Sequence, residues 1–193
     1  MQLTREDWVR AARAALAEGG LRAVAVEPLA ARLGATKGSF YWHFADRASL
    51  LEAALELWEQ QDTEAVIALL ERLPDPLARL RTLFAYTHPA EELFVVEAVV
   101  LAASDDPAVR PVLDRVTRRR VGYIIETLLA LGLPRAEAEH RALLAYQVWI
   151  GYMQLRRATP GILPQGPAHE AYLAHVRTTI EAGLSAEGDG AAP

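Results

Sequence analysis

Apolar residues recur at helical spacing through Trp8, Val9, Ala12, Ala15 and Leu16, and the pattern stops at Gly19-Gly20. Thr4 stands where an N-cap belongs, with Asp7 three residues on as its capping-box partner. A short amphipathic stretch follows from Glu27 to Leu33, with Pro28 in its first turn and Gly34 at its end. Asp46 caps a long pattern that runs to about Leu73 and ends before Pro74. Beyond it, punctuation at Leu73-Pro74-Asp75-Pro76, Thr87-His88-Pro89, Ser104 to Pro107, Gly132-Leu133-Pro134 and Pro160 to Pro167 separates five further helices. These are predicted over about Pro76–Tyr86, Ala90–Ala103, Pro107–Leu131, Pro134–Ala158 and Pro167–Leu184, which with four earlier ones makes nine. No stretch alternates with a period of two, so the fold class is all-α.

One stretch does not read as ordinary surface or core. After Gly34, Thr36 is placed to cap a second short helix through the amide of Gly38 or Ser39. Helix, four-residue turn and helix together spell a helix-turn-helix, whose second helix is of the kind that enters the major groove of DNA. Phe40 and Phe44 lie four apart on one face and are expected to pack inward. Lys37, Ser39, Tyr41, Trp42 and His43 point elsewhere. Lysine donates to guanine O6/N7 or to phosphate, serine to a base edge or phosphate, and tyrosine and histidine carry donors suited to phosphate oxygens.

The run Thr36-Lys37-Gly38-Ser39-Phe40-Tyr41-Trp42-His43-Phe44, followed by Asp46-Arg47 and Leu50, resembles the recognition-helix signature of the TetR family of transcriptional regulators. The likeness spans Gly20 to Leu51. It departs from the family pattern at Ala25, where a Thr or Ser usually caps the first helix of the motif and touches phosphate. The resemblance implies a helix-turn-helix domain over residues 1–46 and a helical ligand-binding and dimerisation domain over 47–184, while the Gly/Ala-rich composition of 185–193 predicts a disordered tail. It also implies nine helices, a two-fold homodimer on a palindromic double-stranded DNA operator, and a small-molecule ligand that releases a repressor. The DNA-contacting set expected here is Thr36, Lys37, Gly38, Ser39, Tyr41, Trp42, His43 and Arg47. Lys37 and Ser39 are assigned to base edges; Tyr41, Trp42, His43 and Arg47 are assigned to the backbone.

Charge fits a partner met by one end only. The chain carries net charge −5, yet residues 1–47 hold seven basic against five acidic side chains. Lys37 is the single lysine, and there is no asparagine, a bias that a GC-rich genome produces. The absence of cysteine excludes disulfides and thiolate metal sites. The most apolar stretch is interrupted at Glu97, short of the ~18 apolar residues a membrane span needs, and no secretory pattern opens the chain. The expected setting is cytoplasmic, without a membrane partner.

The body carries large side chains that serve either as core or as the lining of a ligand cavity: Trp58, Tyr86, Phe94, Tyr123, Trp149, Tyr152 and Met153. Net acidity of the body favours an apolar or cationic ligand, unless Arg118, Arg119 and Arg120 face inward. Leu144, Val148, Gly151, Tyr152 and Leu155 form one apolar stripe, and Tyr172, Leu173, Val176, Ile180 and Leu184 another, suited to a four-helix dimer interface. Two other classes compete. Glu137 and His140 make a single Glu-x-x-His step of the kind used in di-iron bundles, but a second copy is lacking. A helical adaptor binding only protein leaves Tyr41, Trp42 and His43 without a role. No cofactor and no enzymatic activity are expected.

Overall fold

The computed structural model describes residues 3–87 and 95–184 of the 193-residue chain. The expected tail 185–193, His88 and Phe94 therefore lie outside the described residues, as does the side chain of Tyr86. Among the described residues ten α-helices follow in order: α1 (Arg5–Gly19), α2 (Val26–Leu33), α3 (Lys37–Tyr41), α4 (Arg47–Glu59), α5 (Ala65–Leu70), α6 (Pro76–Thr87), α7 (Val95–Ala102), α8 (Arg110–Ala130), α9 (Arg135–Ala158) and α10 (Pro167–Glu181). A π turn, Gln60–Glu64, joins α4 to α5 without a break. Counting that run once gives nine helical runs among the described residues, the number predicted from the punctuation.

The chain separates into two compact units. The first takes Met1–Val66 and Glu91–Thr117, the second Ile67–Ala90 and Arg118–Pro193. In the first, α1 packs on α2, α4 and α7, and the core contains Trp8, Leu16, Leu29, Phe40, Leu50, Leu55 and Trp58, each essentially without solvent exposure. Val100, Val109 and Val116 belong to the same core. The second unit has its own smaller core around Leu80, Ile124, Leu128, Ala138 and Ala142.

Local grammar sets the helix starts. Thr4 Oγ1 accepts from the Asp7 amide at 3.3 Å, while the Thr4 amide donates to Asp7 Oδ2 at 2.8 Å, closing the capping box. Asp46 and Ser49 close a second box at the head of α4. Ala25 caps α2 with no side-chain hydrogen bond. Gly34 ends α2 at φ 64°, in the left-handed region that is cheapest without a Cβ. Several ends differ from the periodic reading. The long run stops at Leu70, where a tight turn brings the Leu73 amide to the Leu70 carbonyl at 3.0 Å. Asp106 holds a turn ahead of α8 by accepting from the Ala108 amide at 2.9 Å, so that helix begins at Arg110, not Pro107.

Asp7 also ties the fold to pH. Its hydrogen bonds from the Thr4 amide and hydroxyl, then from Arg10, lower its pKa from 3.8 to about 2. A carboxylate with a depressed folded-state pKa contributes stability that is present above its unfolded value and lost as pH falls through the folded one. Acid titration followed by circular dichroism is therefore expected to show α1 loosening between about pH 4 and pH 2. Asp7→Asn removes that part of the acid transition.

Candidate nucleic-acid interface

The turn between α2 and α3 is built from one side-chain cap and one buried ring. The Ser39 amide donates to Thr36 Oγ1 at 3.2 Å, fixing the first turn of α3. Phe40 then drops into the core, edge-on to Trp8 with ring centroids 5.4 Å apart, and Phe44 stacks on it at 5.6 Å. Regular α-helix stops at Tyr41, earlier than the motif to Phe44 suggests. The His43 and Phe44 amides still both reach the Phe40 carbonyl, at 2.9 and 3.0 Å. That bifurcated turn swings Phe44 back inward, so the two rings share a face although the helix has ended.

Anchoring one face leaves the other outside. Tyr41 is 61% exposed and Trp42 is 88% exposed. Thr36, Lys37 and Gly38 are exposed and Ser39 is half-buried. A tryptophan left in water is costly, since burying such a ring is worth roughly 1.5–3 kcal/mol or more. The structure thus gathers Thr36, Lys37, Gly38, Ser39, Tyr41 and Trp42 on one short open surface.

The two remaining members of the expected set are tethered to backbone. His43 Nε2 lies 3.1 Å from the Leu3 carbonyl, which can only accept, so Nε2 carries the proton. Arg47 Nε donates to the Val24 carbonyl at 2.6 Å and Nη2 to the Leu21 carbonyl at 2.5 Å. The guanidinium thereby pins the 3-10 turn Leu21–Ala23, which leads into α2, to the start of α4. This bracing escapes sequence reading, because the partners are carbonyls 23 and 26 residues away. Lys37 Nζ is salt-bridged to Glu27 Oε1 on α2. That pairing lowers the Glu27 pKa and raises that of Lys37, chiefly through the hydrogen bond between them.

The residues expected to line a ligand cavity fall in several places. Trp58 sits in the first unit's core. Trp149, Tyr152 and Met153 are buried in the second unit. Tyr152 Oη lies 3.1 Å from His169 Nε2, and the Arg120 guanidinium covers the Trp149 ring at 5.2 Å. Tyr123 lines a cleft of about 390 Å³ together with Glu71, Arg79, Arg118, Arg119, Gly122, Glu126 and Thr127. Its phenol oxygen is buried with no hydrogen-bond partner among the described residues, and burial, foremost, raises its pKa. Thr127 Oγ1 spends its proton on the Tyr123 carbonyl at 2.8 Å. Sequence reading names Tyr123 but not the cleft's acidic members. Glu137, from the competing metal reading, is held by Arg141 Nε at 2.6 Å on an exposed flank of α9.

The Arg47 tether makes its own prediction. Arg47→Ala is expected to cost on the order of 1 kcal/mol in urea denaturation, the scale of exposed charge-assisted hydrogen bonds. Lysine carries a single point donor and cannot span both carbonyls, so Arg47→Lys recovers only part of the loss.

Known proteins match this arrangement at two levels. The family model described as bacterial regulatory proteins, tetR family, matches residues 9–54. The HTH-type transcriptional regulator TtgR of Pseudomonas putida is 35% identical over 83 residues, 42% of this chain and 40% of that protein. The chain thus aligns to about two fifths of the length of the curated relatives it matches. In fold, a transcriptional regulator from Rhodococcus sp. Rha1 superposes with a TM-score of 0.77 at 23% identity, covering 94% of this chain and 98% of that one. A TetR transcriptional regulator from Legionella pneumophila gives 0.74 at 14% identity, with 96% and 99% covered. No described helix is long and apolar enough to cross a membrane. Residues 9–54, with the helix-turn-helix inside them, thus match the tetR family model, and the rest of the chain shares the all-α fold of these solved structures.

Proposed function

We propose that this protein is a homodimeric, sequence-specific DNA-binding repressor whose release from its operator is driven by a small molecule. The observation that carries the DNA reading is the outward set Lys37, Tyr41 and Trp42 held over the buried Phe40 and Phe44. In this reading α3 lies in the major groove. Lys37 and Ser39 face base edges, Thr36 and Tyr41 donate to phosphate, and Gly38 lets the backbone approach. Trp42 packs on the sugar-phosphate wall, and its burial there accounts for its exposure in the free protein. His43 and Arg47 flank the face and keep it rigid.

Dimerisation is supported by the apolar stripe on α9, where Leu144 and Leu155 are exposed and Val148 and Gly151 half-buried. Two heads on a palindrome multiply affinity through effective concentration. The cleft around Tyr123 is a candidate ligand site, of a volume that suits a small organic molecule. Its mixture of Arg79, Arg118 and Arg119 with Glu71 and Glu126 favours a ligand with both polar and apolar parts. Glu71 immediately follows the helical run that begins at Arg47, so occupancy of the cleft acts on the far end of that run. A ligand must prefer the DNA-incompetent state to shift anything. A hundredfold preference corresponds to about 2.7 kcal/mol.

Selection of bound sequences from random duplex DNA is expected to return a palindrome with half-sites about one helical turn or more apart. Tyr41→Phe is expected to weaken binding to all sequences alike, and Lys37→Ala to relax preference at one position per half-site. Recovery of no common motif contradicts the reading. For assembly, the wild-type chain is expected to sediment as a dimer at micromolar concentration and Leu155→Glu as a monomer. A wild-type monomer under those conditions removes the dimer from the account.

A further inference from the structure

The salt bridge between Lys37 and Glu27 sits where a DNA-binding surface ordinarily excludes negative charge. Lys37 opens α3 and Glu27 lies in the first turn of α2, with side chains 58% and 71% exposed respectively. A carboxylate in that position repels the phosphate backbone and subtracts from the counterion release that drives non-specific binding. It also engages the single lysine of the chain. Either effect alone weakens DNA binding. The arrangement is informative when the pair is treated as one reading device.

An ammonium has three donors and no acceptor, whereas an ionised carboxylate only accepts. With one donor spent on Glu27 Oε1, Lys37 keeps two, and Glu27 keeps its second oxygen. The pair therefore presents donor, donor and acceptor side by side on an exposed surface. In the major groove a G·C pair presents acceptor, acceptor and donor in that order: guanine N7, guanine O6 and the cytosine N4 amine. An A·T pair presents the adenine N6 amine in the middle, which sets a donor against the ammonium, and a methyl group at the far side. The match to G·C is complete and the mismatch to A·T is repulsive. The ion pair also stays ionised throughout the neutral range, because each partner holds the other in its charged form.

We propose that Lys37 and Glu27 jointly read one G·C base pair in each half-site, the ammonium on guanine N7 and O6 and the carboxylate on the cytosine N4 amine. This rests on the proposal that α3 enters the major groove, and it adds Glu27 as a specificity-determining residue. Glu27 trades affinity for discrimination. It lowers binding to every sequence by its charge and penalises A·T by leaving its own oxygen without a donor.

The test uses the full-length protein and the operator recovered by selection from random DNA. Affinities are measured for that operator and for versions with each G·C pair changed to A·T. Wild type is expected to discriminate about tenfold or more at one G·C position per half-site. Lys37→Ala and Glu27→Ala are each expected to bring discrimination at that same position close to parity, and the double variant to lose no more than either single one. Glu27→Gln, which keeps an acceptor and removes the charge, is expected to retain most of the preference. Its affinity for all sequences rises and its salt dependence steepens by about one unit of slope per head. Thermal melts of the four variants matching wild type place the effect at the interface. Discrimination unchanged in Glu27→Ala, or lost at a position that Lys37→Ala leaves intact, overturns the joint reading while leaving the major-groove placement standing. A wild-type protein that selects no sequence overturns both.

Discussion

Burial of Phe40 against Trp8, with Phe44 stacked on Phe40, is the constraint on which the proposed recognition surface depends. A five-residue helix has too few hydrogen bonds to offset the cost of nucleation, so α3 (Lys37–Tyr41) is not stable by propensity. Its order comes from packing: Phe40 is fully buried, as are Trp8, Leu50 and Trp58 in the same core. Because side chains on so short an element have few directions open, sinking one face fixes the other. Lys37, Tyr41 and Trp42 point outward as a consequence of where Phe40 goes. The Arg47 guanidinium adds the second restraint, binding the Leu21 and Val24 carbonyls and holding the approach to α2 against the start of α4.

Charge in the first unit is organised as pairs more than as a patch. Arg10 meets Glu6 and Asp7, Arg13 meets Asp62, Arg32 meets Glu18, Lys37 meets Glu27 and Arg115 meets Glu59. The half-buried Arg13–Asp62 contact bridges α1 to the π turn, and Arg115–Glu59 bridges α8 to α4. Exposed pairs of this sort contribute little to stability. In the proposed DNA-binding reading their larger effect is to spend cationic charge before DNA arrives, so the excess of basic residues in 1–47 overstates the positive field on offer. A head of this kind favours discrimination over blanket affinity for polyanions, consistent with the departure at Ala25, where α2 lacks a side-chain cap.

What could be read from sequence is what local chemistry decides. The Thr4–Asp7 box, the Gly34 turn, the Thr36 cap and the Asp46 cap are three-residue grammars, and each stands where its residues place it. The inward pair Phe40 and Phe44 follows from spacing alone. Sequence could not show that Arg47 would turn to carbonyls of the preceding loop, since any exposed arginine near a helix start looks the same in one dimension. Nor could it show the π turn Gln60–Glu64, which leaves the apolar pattern of the long run nearly intact. Val96, Val100 and Val109 join the core of the first unit from far along the chain, a pairing that no window of periodicity contains. The aromatic residues of the body were legible as large and apolar, but which of them meet a cleft is decided by long-range packing; Tyr123 does, and Trp58 is sealed in the first unit's core.

The claim that packing, and not helix propensity, holds the recognition surface in place is tested most directly by native-state hydrogen exchange in the free protein. The amides of His43 and Phe44, both bonded to the Phe40 carbonyl, are the reporters, with buried amides of α1 and α4 as reference. Exchange of His43 and Phe44 at the same free energy as α1 and α4, through unfolding of that unit as a whole, is the predicted result. Fast exchange of these two amides while α1 and α4 stay protected contradicts the account.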